Sequence, residues 1–427
     1  MRTPLYQYQK EGREFLASRY HALLADEMGL GKTFQAIAAA EQVGARRVLV
    51  VCPASVRAQW ERVVVEELGD DEILNWGFVS YNLVGDGRLK DSEWDVLICD
   101  EAHFLKTPDS RRTLAVLGPD GVARRARFKW MLTGTPVLNR PVEFYPILST
   151  LCGKKLGAFQ SYSAFTQRYC GAYWEGPGRG MNVRGASRVD ELRGVLDGFI
   201  LRRELDQVLP ELPKAIVTTV GVDLRREDAE IVDEVEREIL GREAYVSSVM
   251  EDYSGLGDAS RLMRATGIAK IHGVTQFVRD LLETVDKVVV FAWHREVIDA
   301  LAGRLNGVKH YGGMSDTQKT EAREQFTTDP ECRVFVGNIK SSGTGLDGLQ
   351  RVANNCVFAE NSWTPGEMDQ CIGRLKRIGQ ERPINAYVTY APGTIEGAVL
   401  GSREGKRAVI DRLVRPTNLP SKLFDGL

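Results

Sequence analysis

DEMGLGKT, residues Asp26 to Thr33, follows the apolar run HALLA and precedes the helical run FQAIAAAEQV. A strand, a glycine-rich loop and a helix in that order point to an α/β fold whose loop cradles a phosphate. Gly29 and Gly31, on either side of Leu30, let the backbone turn its N–H groups toward an anion. Lys32 then reaches the outer phosphates of ATP, and Thr33 offers a hydroxyl to Mg²⁺. The loop departs from GxxxxGK[ST] in having Asp26 where the first glycine stands.

Outward from this loop, short apolar runs recur at RVLVVC (Arg47 to Cys52), WDVLIC (Trp94 to Cys99) and FKWMLT (Phe128 to Thr133). They return at KVVVFA (Lys287 to Ala292), CRVFV (Cys332 to Val336), NCVFA (Asn355 to Ala359) and INAYVTY (Ile384 to Tyr390). Helical patterning separates them, so two lobes with mostly parallel sheets are predicted. Residues of roughly 140 to 285 break the rhythm with a Gly-rich stretch, EGPGRGMNVRG, and then charged helical segments. The expected plan is a first lobe over 1–205 with a helical insertion from about 140. A linker and helical protrusion over 206–285 follow, and then a second lobe over 286–427 with a C-terminal brace helix. LPELPK, Leu209 to Lys214, is the expected handover.

DEAH, Asp100 to His103, stands directly after WDVLIC, at the carboxyl end of a strand where α/β sheets bind ligands. Asp100 is placed to hold Mg²⁺ and Glu101 to orient and deprotonate an attacking water. LTGTP follows another apolar run, where Thr133, Gly134 and Thr135 form a turn able to sense a terminal phosphate. Near the far end, QCIGRLKRIGQ places Arg374 and Arg377 three apart, on one face if the segment is helical. Two guanidiniums on one face suit a phosphate, as an arginine finger does.

With 43% hydrophobic and 27% charged residues over 427, the composition is that of a globular protein. No apolar run approaches ~20 residues and no signal peptide opens the chain, so a cytoplasmic location is expected. The seven cysteines form no CxxC pair or zinc-ligand cluster. A net charge of −2 excludes whole-molecule attraction to a polyanion, so any nucleic-acid site is a local basic groove. Arg124, Arg125, Arg127 and Lys129 form one such cluster; Arg202 with Arg203, and Arg374, Lys376 and Arg377, form two more.

Together these motifs resemble the Swi/Snf-type DNA translocases of helicase superfamily two. DEMGLGKT resembles that family's phosphate loop, Asp26 included. Tyr8-Gln9 with Gly12 resembles its adenine-reading segment, which implies Gln9 as a base contact; CPASVRAQW resembles the next motif and implies Ser55 as a DNA-backbone contact. FYPILSTL, FTQRYCGAY, the GAS at Gly185 to Ser187, and LRR at Leu201 to Arg203 extend the resemblance, as do VVVFAWHREVID and WTPGEMDQCIGRLKRIGQ. It implies two RecA-like lobes, ATP and Mg²⁺ as cofactors, and double-stranded or forked DNA as partner. It implies Gln370 at the nucleotide, His103 in coupling, and His294, Lys340, Ser341 and Trp363 at DNA. ASVRAQW, ATGIAKI and FAWH resemble the annealing-helicase branch. The expected protein is a monomeric motor without a reader domain, from a bacterium or phage. A strand-separating DNA or RNA helicase, and a nucleotide-gated DNA-binding scaffold without turnover, stay open as alternatives.

Overall fold

A computed structural model describes residues 1–70, 75–86, 89, 92–134, 140–157, 160–176, 180–240, 256–342, 346–362, 365–394 and 396. The chain divides into two compact units at Leu209–Pro210, within LPELPK. No helix among the described residues is long and apolar enough to cross a membrane.

The first unit opens with α1 (Gln7–Ala17), β1 (His21–Leu24), α2 (Lys32–Gln42), β2 (Val48–Cys52), α3 (Ala54–Leu68) and β3 (Trp76–Ser80). It continues with β4 (Trp94–Asp100), α4 (Arg111–Leu117) and β5 (Ala126–Leu132). The insertion follows as α5 (Tyr145–Leu156), α6 (Tyr162–Tyr169), β6 (Tyr173–Trp174), β7 (Met181–Asn182) and α7 (Val189–Leu196), before β8 (Ile200–Leu201) and α8 (Leu205–Val208). Six strands form an all-parallel sheet in the order β3-β2-β4-β5-β1-β8. Runs such as VLVVC are buried at every position, because a parallel sheet is covered on both faces. Alternate residues serve opposite layers. Ala22, Leu24, Val50, Ile98 and Trp130 meet Leu16 of α1, Ile37 of α2 and Trp60 of α3, while Leu23, Leu49, Leu97 and Met131 meet the other layer.

That other layer holds Leu148 of α5, Phe165 of α6 and Leu192 of α7. The insertion is thus part of the first unit's core, because each of its helices has an apolar stripe to bury. What stands off it is a two-stranded antiparallel ribbon, β6 with β7, exposing Tyr173, Trp174 and Met181. The Gly-rich stretch read as a loop supplies part of this ribbon. Its base is pinned by Ser187, whose hydroxyl donates to Arg168 O at 2.8 Å and accepts from Gly171 N at 3.1 Å.

The second unit begins earlier than expected. Its elements are β9 (Ala215–Gly221), α9 (Arg226–Leu240), α10 (Leu256–Ala269), α11 (Ile271–Leu282), β10 (Val288–Ala292), α12 (Arg295–Arg304), β11 (Val308–His310), α13 (Asp316–Thr328) and β12 (Val334–Asn338). It continues with α14 (Ile339–Ser342), β13 (Asn355–Phe358), α15 (Pro365–Ile372) and β14 (Ile384–Tyr390). Its sheet, also all-parallel, runs β11-β12-β10-β13-β14-β9. β9 lies in the stretch expected to be a linker, yet it pairs with β14 over its whole length, Ala215 opposite Ile384 through Gly221 opposite Tyr390. Val274 and Val278 of α11 likewise pack beneath this sheet. The domain boundary at 286 is corrected accordingly: the β-branched run AIVTTV and the apolar face of α11 bind the segment to the second sheet. The expected brace helix lies outside the described residues.

Candidate active site

β1 and α2 carry the phosphate loop on their junction. Gly31 caps α2 in the left-handed region, φ 69°, and a side chain there would meet the Gln9 amide, its Cβ only 2.5 Å from Nε2. Gln9 itself donates to the carbonyl of Leu30 at 3.3 Å, so α1 is latched to the loop through the residue expected to read the base. Lys32 folds back over the loop and donates to the carbonyls of Asp26 (2.8 Å) and Glu27 (3.3 Å). Burial lowers its pKa, against the pull of Glu101, Asp26 and Asp100.

Asp26 answers its own irregularity. Its carboxylate is fully buried and takes Arg203 in a fork: Nε to Oδ1 at 3.1 Å and Nη2 to Oδ2 at 2.6 Å, with the Arg203 N–H also on Oδ1 at 3.1 Å. Arg203 Nη2 further donates to Gln35 Oε1 of α2 at 2.9 Å, and Nη1 to the Tyr8 carbonyl of α1. One buried guanidinium therefore joins α1, the loop and α2 to the chain beyond β8. A buried ion pair of this kind, once one partner is removed, costs roughly 3–5 kcal/mol.

Asp100 ends β4, and two donors fix its carboxylate: Trp60 Nε1 of α3 to Oδ2 at 2.8 Å, and the Glu101 N–H to Oδ1 at 2.9 Å. Burial, then the neighbouring Glu101, raise its pKa to about 6. A desolvated carboxylate held by two neutral donors fits a divalent cation, with Thr33 in the first turn of α2 as the hydroxyl partner. Glu101 sits at φ 49°, a left-handed conformation unusual for a side chain, at the mouth of the strand. Its Oε2 lies 3.3 Å from His103 Nδ1, which lies 3.0 Å from the Thr133 hydroxyl. Gly134 follows, pressed so close to Met28 that a Cβ would sit 2.5 Å from Met28 Cγ and 3.5 Å from Lys32 Nζ.

The first unit thus brings together Gln9, Leu30, Gly31, Lys32, Asp100, Glu101, His103, Thr133 and Gly134. Thr135 and Trp363 lie outside the described residues. Ser55 is exposed in the first turn of α3, Lys340 is exposed on α14, and Ser341 beside it is half-buried. His294 is committed to a buried carboxylate, its Nδ1 2.6 Å from Glu360 Oε1 while Glu360 Oε2 accepts the N–H groups of Trp293 and His294. Gln370 is buried on α15. Arg374 and Arg377 do meet, but not on a helix face: α15 ends at Ile372, and the two guanidiniums converge on the Leu346 carbonyl at 3.1 and 3.3 Å. Arg377 also pairs with Asp347 at 3.3 Å. Sequence reading missed the parts played by Arg203, Gln35 and Trp60. Only Trp60 left a signal, since a tryptophan on the apolar stripe of Val56, Val63 and Val64 is buried and its indole N–H needs an acceptor.

The SNF2-related domain profile matches residues 8–76 and 79–319, well over half of the chain. The chain belongs to the SNF2-related family. A helicase conserved C-terminal domain profile matches residues 270–379. Among curated relatives, the DNA annealing helicase and endonuclease ZRANB3 of Bos taurus is 31% identical over 96% of this chain and 40% of its own length. The Drosophila melanogaster SWI/SNF-related matrix-associated actin-dependent regulator of chromatin subfamily A-like protein 1 is 27% identical over 96% of this chain and 56% of its own. The chain thus spans two fifths to little more than half of these proteins. A Sulfolobus solfataricus SWI2/SNF2 ATPase core solved in complex with dsDNA is 23% identical, covering 97% of this chain and 93% of that one, with a TM-score of 0.44.

Proposed function

We propose that the chain hydrolyses ATP and couples it to movement along double-stranded DNA, with fork remodelling or strand annealing as the outcome. The observation that carries this reading is the convergence of Lys32, Asp100, Glu101, His103 and Thr133 at the carboxyl ends of β1, β4 and β5. Lys32 and the loop N–H groups bind the outer phosphates. Asp100 and Thr33 are the residues that would hold Mg²⁺, which would supply charge neutralisation at those phosphates. Glu101 orients water and takes its proton, and His103 lies between Glu101 and Thr133, beside the glycine that adjoins Lys32. Arg374 and Arg377, drawn together at Leu346, are the arginine pair of the proposed reaction. Phosphate contacts dominate DNA binding, because a translocase tolerates every sequence.

ATP turnover measured with duplex, forked DNA, single strands and RNA tests this, in wild type, Lys32→Ala, Glu101→Gln and Arg377→Ala. Duplex or forked DNA is expected to stimulate the wild type most, and steeply less as salt rises. Glu101→Gln is expected to bind ATP but turn it over roughly 10²- to 10⁴-fold more slowly, and Arg377→Ala to keep ATP binding while losing turnover. Negligible, equal rates in all four would exclude the motor; preferential stimulation by RNA would redirect the substrate.

A further inference from the structure

Arg202 and Arg203 are consecutive, and in extended chain they diverge. Arg203 turns toward Asp26, Gln35 and Tyr8 and is satisfied there. Arg202 turns the other way, across the end of β1 toward β5. Its Nη1 stands 3.4 Å from the Ala25 carbonyl and 3.5 Å from the Gly134 carbonyl, the outer limit of a hydrogen bond, and its Nε is buried without an acceptor. Gly134 is the residue whose Cβ would touch Lys32 Nζ, so Arg202 and Lys32 flank the same glycine. Arg202 thus stands beside Lys32 with its donors poorly used, a geometry that a bound anion completes.

Asp26, Glu27 and Asp100 are engaged elsewhere. Asp26 is committed to Arg203 and Gln35, Glu27 Oε2 accepts the Leu205 N–H at 2.7 Å, and Asp100 holds Trp60 and the Glu101 N–H. We infer that Arg202 is a phosphate ligand of the bound nucleotide, reaching its terminal phosphate from the same unit as Lys32. This rests on the ATP reading above. The adjoining Arg203 clamp explains the precision of the placement: by fixing the chain after β8 to Asp26, it sets where its neighbour emerges.

The test is binding of fluorescent ADP and of a fluorescent non-hydrolysable ATP analogue to wild type, Arg202→Ala and Arg202→Lys, with thermal midpoints alongside. A charge-assisted bond to the terminal phosphate predicts that Arg202→Ala loses roughly 10- to 100-fold in affinity for the analogue. ADP affinity is expected to change less than about threefold, and Arg202→Lys to recover part of the loss by restoring charge without the fork. Equal losses for both nucleotides, or none, would overturn the assignment. So would unchanged nucleotide binding with weakened duplex affinity, which would move the anion to the DNA backbone. A wild type that binds neither nucleotide would overturn the ATP reading as well, whereas wild-type turnover with an indifferent Arg202→Ala removes this assignment alone.

Discussion

At the scale of single residues, the chain shows how burial decides protonation. His310 ends β11 nearly enclosed, its ring tilted against that of Phe335 at 5.8 Å, and burial together with the charges of Lys319 and Arg323 pushes its pKa down to about 4. An unfolded histidine titrates near 6.5, so between about 6.5 and 4 the unfolded chain binds the proton that the folded one refuses. Stability is therefore full above pH 6.5 and falls as pH drops toward 4, by about 3 kcal/mol from this side chain. Urea midpoints of wild type and His310→Gln at pH 7.5 and 4.5 check it: the variant is expected to lose less on acidification, and equal losses would exonerate His310. Legibility at this scale was uneven. Lys32, Asp100 and Glu101 stood out by type and by position after a strand, and the structure brings them close together. Asp26 was visible as an irregularity and as part of the family resemblance but its partner was not, since Arg203 lies 177 positions away and nothing local encodes a contact of that range.

Among elements, the strands that read as unbroken apolar runs came out as strands, because both of their faces are covered and period-2 alternation is absent. The short or half-exposed ones escaped: β8 has two residues, and β9 leaves Ile216 and Val217 exposed at a sheet edge. The signal for β9 was present in its β-branched composition but was overshadowed by the prolines before it. A second buried cross-link ties the junction of α10 and α11 to the end of β14. Lys270, between α10 and α11 and fully buried, donates to Glu396 Oε1 at 2.7 Å and to the carbonyl of Thr389 in β14 at 3.1 Å, while Glu396 Oε2 accepts the Ala391 N–H at 2.9 Å. Lys270→Met strands a buried carboxylate and is expected to destabilise the second unit by roughly 3–5 kcal/mol. Adding Glu396→Leu should restore much of that, and chemical denaturation of the single and double variants measures the coupling. If the double variant were as unstable as the single one, the carboxylate would not be the cause.

For the molecule as a whole, two parallel sheets were legible in the recurrence of apolar runs, whereas the partition of residues 206–285 was not, because a boundary is set by which sheet a segment pairs with. The converging arginines were legible as a pair but not in their manner of meeting, which depends on a carbonyl some thirty residues upstream. One whole-molecule feature has a practical use. All seven cysteines are free and buried, Cys52, Cys99, Cys152 and Cys170 in the first unit and Cys332, Cys356 and Cys371 in the second. Burial pushes every thiol up, Cys152, Cys170 and Cys356 to about 12, so a native chain holds almost no thiolate for an alkylating reagent to find. Each sulfur is thus a silent clock that starts only when its surroundings open. Pulsed iodoacetamide labelling read by mass spectrometry would time the breathing of the two units separately, without a dye. A nucleotide seated on the loop should slow the clocks at Cys52 and Cys99, at the ends of β2 and β4, before it touches those of the second sheet.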